Sequence, residues 1–161
     1  MFDFSPSPNA DKAVIYADLL AAADAITRDE PDVIANMANV AALIWQFLPD
    51  LNWAGFYRMV GEELVLGPFQ GKAACIRIPL GRGVCGTAAA SGETQLVKDV
   101  HAFPGHIACD VASASEIVIP VTLKGCVVAV LDLDSPVMAR FNAADQAGLE
   151  ALVTQIAPRI A

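Results

Sequence analysis

The spacing of apolar residues divides the chain into a helical start, a strand-rich middle and a helical end. Residues 11–28 carry apolar residues at intervals of three and four, which predicts an amphipathic helix with Asn9 or Asp11 as its N-cap. A second stripe of the same period predicts another helix over residues 31–48, with no strand between the two. Residues 1–10, rich in proline, serine and asparagine, form an N-terminal arm.

From residue 52 onward the apolar period shortens to two, which is typical of strands. Six strands are expected, over residues 52–60, 63–69, 74–79, 94–97, 116–123 and 127–133. A short alanine-rich helix over 84–90 interrupts them, and a helix capped by Asn142 ends the chain. This order predicts one α+β domain over residues 1–161, with a mainly antiparallel sheet of about six strands and the helices packed on one face.

The composition is that of a globular protein with no nucleic-acid or membrane partner. Hydrophobic residues make up 55% of the 161, enough for a sizeable core. Ten basic and 18 acidic residues give a net charge of −8, which leaves no basic patch for phosphates. No apolar run reaches the roughly 18 residues of a membrane span, and the N-terminus does not resemble a signal peptide. We therefore expect a cytoplasmic protein, whose thiols are kept reduced.

The chain has four cysteines, Cys75, Cys85, Cys109 and Cys126. They form no C-x-x-C pair and show no close Cys/His ligand spacing, so we expect no metal site. Structural burial and redox chemistry both remain open for these thiols. Cys109 differs from the others because it lies in a polar loop of small residues, 105–116, before a strongly apolar run. Loops between strands often present reactive groups, which makes Cys109 a candidate nucleophile and Glu116 a candidate substrate-binding carboxylate.

Five local runs are more specific than the order of the elements. They are 52–57 (NWAGFY), 77–86 (RIPLGRGVCG), 106–110 (HIACD), 115–118 (SEIV) and 130–136 (VLDLDSP). Together they resemble the free methionine-(R)-sulfoxide reductases, GAF-domain enzymes that reduce free methionine sulfoxide but not the protein-bound form. The resemblance covers roughly residues 12–160. It implies a single GAF domain and an oxidoreductase that repairs oxidative damage without a metal, flavin or nucleotide cofactor.

The resemblance also implies a role for each cysteine. Cys109 matches the family's nucleophile, and Cys75 matches the cysteine that forms the resolving disulfide with it. Cys85 matches a third cysteine, which can also pair with the nucleophile, so the order of resolution stays open. Cys126 matches no family cysteine. His106, if it were charged, would lower the pKa of Cys109.

The remaining site residues implied by the resemblance would bind substrate. They are Glu116, Asp132 and Asp134 as an acidic pocket, and Trp53 and Tyr57 as its aromatic side. The acids would surround the α-ammonium group of the free amino acid, and burial would raise the pKa of one or more of them. Which acid donates a proton to the sulfoxide oxygen stays open. Without the resemblance, Asp134 would be read as part of a turn and the two aromatic residues as core.

Chemistry of this kind leaves a sulfenic acid on the nucleophile, which a second thiol converts to a disulfide. A thioredoxin-like reductant would then restore both thiols by exchange. The alternative is a GAF sensor module that binds a small molecule and whose cysteines are redox-sensing or structural. In GAF domains the first helices often mediate dimers, so the resemblance makes a homodimer an expectation.

Overall fold

The computed structural model describes residues 4–107 and 110–161. Its strands are β1 (Trp53–Val60), β2 (Glu63–Gly71), β3 (Arg77–Pro79), β4 (Gln95–Val97), β5 (Ser115–Leu123) and β6 (Cys126–Ser135). Its α-helices are α1 (Lys12–Thr27), α2 (Val33–Phe47), α3 (Gly83–Ser91) and α4 (Ala143–Ile156). The six strands of this described part form one antiparallel sheet in the order β3-β2-β1-β6-β5-β4. Within the same residues, no helix is both long and apolar enough to cross a lipid bilayer.

The predicted α+β architecture with six strands is confirmed, strand boundaries differ by one to three residues, and two of these differences bear on the pocket. The third strand is shorter than predicted and pairs over Arg77–Pro79; just before it, the carbonyl of Cys75 accepts a hydrogen bond from the Tyr57 hydroxyl at 3.1 Å. The last strand continues to Ser135. Asp134 therefore lies inside the sheet, paired with Trp53 on one side and Glu116 on the other, and does not begin a turn.

Side chains on the central strands alternate between two hydrophobic clusters. Ala54 and Phe56 of β1 face the cluster formed with α1, α2 and α4, whereas Trp53 and Tyr57 face the opposite side. The three long helices thus share one face, as predicted. The short helix α3 differs, because its buried side chains, Cys85 among them, pack on the second cluster. The second face of the sheet is therefore only partly covered, which leaves room for a pocket.

The β5–β6 hairpin places its residues through a tight turn. Lys124 and Gly125 have φ angles of 51° and 81°, and positive φ at both central residues is what a type I′ turn requires. With one irregularity after Val121, the register pairs Glu116 with Asp134. A slip of one residue would turn every side chain of the hairpin to the wrong face, so the buried apolar positions keep this pairing in place.

Helix α4 is tied to α1 through a buried acid. Asn142 caps α4, as predicted, and forms a reciprocal capping box with Asp145. Asp145 also accepts hydrogen bonds from Tyr16 Oη at 2.9 Å and Lys12 Nζ at 2.5 Å. Burial alone would raise the pKa of Asp145, but its donors outweigh burial and lower it. The terminal helices therefore form one layer behind the sheet.

Gly148 offers a test of this packing, because a Cβ there would lie 2.3 Å from Cγ of the Tyr16 ring. Tyr16 is held by its bond to Asp145, so the ring has no room to move. Helix propensity alone would make Gly148→Ala stabilising by about 1 kcal/mol. We expect instead a loss of about 1–3 kcal/mol in the free energy of unfolding, measured by urea denaturation.

The control is Thr154→Ala on the exposed side of the same helix, which should change the free energy of unfolding by less than about 0.5 kcal/mol. If Gly148→Ala proves as stable as wild type, Tyr16 does not pack on α4 as described.

Candidate functional site

A pocket lies on the face of the sheet opposite the three long helices. Strands β1, β5 and β6 form its base, and the first turn of α3 forms one side. Residues 72–74 and parts of 106–113 complete the rim. Five of the predicted site residues in the described part of the chain line the base: Trp53, Tyr57, Glu116, Asp132 and Asp134.

Three of these residues form an acidic cluster, defined as Glu116, Asp132 and Asp134. The two aspartates are alternate residues of β6 and so point to the same face, and Glu116 is the cross-strand partner of Asp134. Like charges in such positions repel each other. The strand pairing therefore forces the three carboxyl groups together at the base of the pocket.

The acidic cluster is held partly protonated at neutral pH. Burial, followed by the charges of the neighbouring acids, raises the pKa of Glu116 and of Asp132 well above the ordinary carboxyl range. Burial also raises the pKa of Asp134, to about 7. In addition, Oδ1 of Asp132 is buried and has no hydrogen-bond partner among the described residues. Such a cluster is suited to receive a cation or to give up a proton.

Cys85 lies in the first turn of α3, directly over the acidic cluster. Its Sγ and one carboxylate oxygen each from Glu116 and Asp132 lie within 4.8 Å of one another. Burial, followed by the charges of Asp132 and Glu116, raises the pKa of the Cys85 thiol well above its ordinary value. Because the thiolate is the nucleophilic form, Cys85 is held in an unreactive state.

An aromatic wall, defined as Trp53 and Tyr57, lines the other side of the pocket base. Trp53 stacks on Tyr57 with ring centroids 5.7 Å apart and on Phe69 with centroids 5.2 Å apart. Trp53 Nε1 donates a hydrogen bond to the carbonyl of Lys72 at 3.1 Å. Phe69 stacks on Trp53 from outside the pocket lining, and its position depends on the pairing of β1 with β2.

The other predicted cysteines lie in three different situations. Cys75 follows the rim residue Ala74 and is disulfide-bonded. Cys109 lies outside the described residues, so its predicted place at the pocket stays a prediction. Cys126 is a free, exposed thiol at the hairpin end of β6, which agrees with the expectation of packing or surface for this residue.

Sequence reasoning missed a polar network that joins the two sides of the rim. Asp110 Oδ2 lies 3.2 Å from Lys72 Nζ, and Asn52 Nδ2 donates to Asp110 at 3.3 Å and to Ser113 Oγ at 3.0 Å. The backbone N–H of Ala112, followed by Lys72, lowers the pKa of Asp110 and keeps it ionised. Asn52 and Asp110 belong to two of the family-like runs, and this was the only signal in the sequence.

His106 also lines the pocket, with Nε2 3.7 Å from Oε2 of Glu116. Burial, followed by the charge of His101, lowers the pKa of His106 below its ordinary value. The imidazole is therefore neutral at physiological pH. This speaks against the idea that a charged His106 activates Cys109.

The chain is similar in sequence to a known family and to several known proteins. Residues 27–161 match the family described as GAF domain. A free methionine-R-sulfoxide reductase from Escherichia coli is 52% identical over 145 residues, which cover 90% of this chain and 88% of the relative. A protein of the same name from Saccharomyces cerevisiae is 42% identical over an alignment of 158 positions, and the alignment covers 93% of this chain and 88% of the relative.

A solved structure shares the architecture as well as the sequence. It is the free methionine-R-sulfoxide reductase from Neisseria meningitidis in complex with its substrate. It superimposes with a TM-score of 0.95 at 43% identity, covering 99% of this chain and 96% of that chain. The similarity thus extends over nearly the whole molecule, and with it over the elements that form the pocket.

The raised pKa of Asp134 predicts how stability changes with pH. The folded protein keeps a proton on Asp134 that the unfolded chain releases near pH 4, so stability falls as the pH rises from about 4 to about 7. Asp134→Asn should remove this contribution, which amounts to up to about 4 kcal/mol, and make the profile less steep, while Glu116 and Asp132 keep their own contributions. The measurement is urea denaturation at several pH values.

Asp50→Asn, a substitution at an exposed position, is the matched control and should leave the profile parallel to wild type. An equally steep profile in the Asp134→Asn protein would show that the pKa of Asp134 is not raised in the folded state.

Proposed function

Since this chain belongs to the GAF-domain family that includes the free methionine-R-sulfoxide reductases, we propose that it reduces free L-methionine-(R)-S-oxide to methionine. The observation that carries the proposal is the acidic cluster buried beside an aromatic wall in one pocket. A small amino acid with a positive charge and an apolar sulfur-bearing end fits both halves. The names of the relatives support the same substrate.

The acidic cluster would bind the α-ammonium group of the substrate. A cation there relieves the repulsion among Glu116, Asp132 and Asp134, and it supplies a partner for Oδ1 of Asp132. The α-carboxylate would face the first turn of α3, whose residues Gly83 and Val84 line the pocket. First-turn N–H groups have no acceptor within the helix and attract anions.

The aromatic wall would hold the methyl sulfoxide end, because methyl groups and sulfur pack well against rings. A methionine sulfoxide within a peptide lacks both terminal charges. Binding it would leave the acidic cluster buried without a counter-ion, and unpaired polar groups of this kind reject a wrong substrate strongly. Specificity for the free amino acid follows from the same groups that bind it.

The chemistry begins with Cys109, whose thiolate attacks the sulfoxide sulfur while a protonated carboxyl of the acidic cluster donates to the oxygen. Oxygen passes to the cysteine, so methionine leaves and Cys109 becomes a sulfenic acid. Attack by the Cys75 thiol then forms a disulfide and releases water. A thioredoxin-like dithiol reduces this disulfide and restores both thiols.

Two features support Cys75 over Cys85 as the first resolving thiol. Cys75 is disulfide-bonded, and its segment is joined to that of Asp110 by the ion pair from Lys72. The Cys85 thiol is free, buried and of raised pKa, which disfavours nucleophilic attack. Cys85 therefore serves as a neutral neighbour of the acidic cluster rather than as a redox partner.

The proposal also includes the cellular compartment in which the protein acts. A reductase recycled by thioredoxin belongs in the reducing cytoplasm, where it repairs free methionine oxidised under stress.

A homodimer through the first helices is consistent with the exposed apolar residues Ile34 and Trp45 on α2, which are 45% and 41% exposed.

The direct test is turnover of free methionine-(R)-sulfoxide with dithiothreitol or thioredoxin as reductant. Wild type should consume it, and Cys109→Ser should lose at least about a thousandfold in kcat/KM because the nucleophile is gone. Cys126→Ser, a change of the exposed cysteine, should retain wild-type activity.

Absence of turnover in wild type, or full turnover in Cys109→Ser, would refute the proposal. Saturable binding of the sulfoxide without turnover would favour the sensor module instead.

The resolving step can be separated from the first step. Cys75→Ser should complete one turnover per chain, measured by rapid quench, and then lose recycling by thioredoxin because no disulfide forms. Cys85→Ser should keep thioredoxin recycling within about threefold of wild type. Unchanged recycling in Cys75→Ser together with loss in Cys85→Ser would reverse the assignment.

A further inference from the structure

Cys85, Glu116 and Asp132 present three different ligand groups at one point. The Cys85 sulfur and one oxygen from each carboxylate lie within 4.8 Å of one another. The three residues are 4%, 6% and 6% exposed. They come from α3, β5 and β6, so three separately packed elements hold them in place.

A second observation, independent of the first, is an unpartnered acceptor at this point. Oδ1 of Asp132 is buried in the pocket and accepts no hydrogen bond from the described residues. Buried acceptors without a partner are rare in folded proteins, because each one costs its full desolvation energy. A metal cation at this position would bind that oxygen directly.

The ligand types select the cation. A thiolate disfavours Mg²⁺ and Ca²⁺, which prefer oxygen, whereas sulfur combined with carboxylate and imidazole suits Zn²⁺. In a tetrahedral zinc site the ligand atoms lie about 3.3–3.8 Å apart. To bind Zn²⁺, the three ligand atoms would have to move about 1 Å closer together. Rotation of the side chains allows a movement of this size.

We propose that Cys85, Glu116 and Asp132 bind Zn²⁺ at the base of the pocket and that the bound ion prevents the substrate from binding there. The fourth position faces the pocket, where His106 Nε2 lies 3.7 Å from Glu116 Oε2. Binding is an exchange without change of oxidation state: the Cys85 thiol and any protonated carboxyl release their protons to solvent as the metal bonds form. Spacing along the chain predicts no metal site, because these ligands meet only through the sheet.

Inhibition follows from the shared acids, and this part rests on the proposed function. Zn²⁺ and the ammonium group of the substrate would both require Glu116 and Asp132. Only one can occupy them at a time, so zinc should compete with free methionine sulfoxide. The ion also holds Cys85 as a thiolate ligand, which gives the neutral buried thiol a role that the reductase chemistry does not use.

Cobalt is the probe, because Co²⁺ adopts the zinc geometry and reports a bound thiolate by an ultraviolet charge-transfer band. The titration uses wild-type protein without added thiol, so that Cys75 stays in its disulfide. We expect one Co²⁺ per chain, the charge-transfer band, intense visible bands of tetrahedral cobalt, and displacement by Zn²⁺. Absence of the band would overturn the proposal.

Substitution of individual side chains identifies which residues bind the metal ion. Cys85→Ser should lose the charge-transfer band, and the nearly isosteric Asp132→Asn should weaken cobalt binding by more than about tenfold. Cys126→Ser is the matched control and should keep both band and affinity, since this thiol is exposed and lies at the hairpin end of β6. A band that survives Cys85→Ser, or is lost in Cys126→Ser, would overturn the site.

A kinetic arm tests the inhibition with a non-thiol phosphine reductant. The zinc concentration for half-inhibition should rise in proportion to the sulfoxide concentration, and a value independent of substrate would contradict competition. If the protein reduces no sulfoxide at all, the proposed function fails while the cobalt spectra still decide the metal site.

Discussion

The crowding of three carboxyl groups on one face of two paired strands, two of them fully buried, is the constraint on which the rest of the site depends. Antiparallel pairing places Glu116 opposite Asp134, and the strand period of two places Asp132 on the same face. None of the three can be moved away without changing the register of the central hairpin. The cluster is consequently unstable as three anions and stable only with protons or with a cation.

The two-sided sheet makes this burial tolerable. On one face, α1, α2 and α4 form the large apolar cluster with side chains from β1, β5 and β6, and that cluster supplies most of the hydrophobic stabilisation. The other face carries a smaller cluster with only the short α3 over it. A polar site on the smaller side therefore costs stability without interrupting the main core.

The same arrangement divides the cysteines by chemical state. Cys85 packs against the acids, and burial together with negative charge raises the pKa of its thiol. The Cys75 segment is instead held at the rim by Tyr57, Trp53 and Lys72. Proximity to the acidic cluster thus suppresses thiolate chemistry at Cys85, and the proposed disulfide exchange would take place at the rim.

Much of this could be predicted from local patterns. The strands, the cap at Asn142 and the alternation of Asp132 with Asp134 all depend on neighbours within a few residues. The placement of α3 on the opposite face could not, because its small residues show no pronounced apolar stripe. The Lys72–Asp110 ion pair was also missed, since its partners are 38 residues apart and meet only when the sheet forms. Family resemblance supplied the roles that local patterns leave open.

The central claim, that a buried acidic cluster recognises the ammonium group of a free amino acid, is tested most directly by calorimetry. L-Methionine-(R)-sulfoxide is titrated into the Cys109→Ser protein near pH 7, where Asp134 is about half protonated, in two buffers of different ionisation enthalpy. The account predicts net release of protons on binding, because the ammonium group lowers the pKa of the acids, and no binding of the N-acetyl derivative. Equal binding of both compounds with no proton release would contradict it.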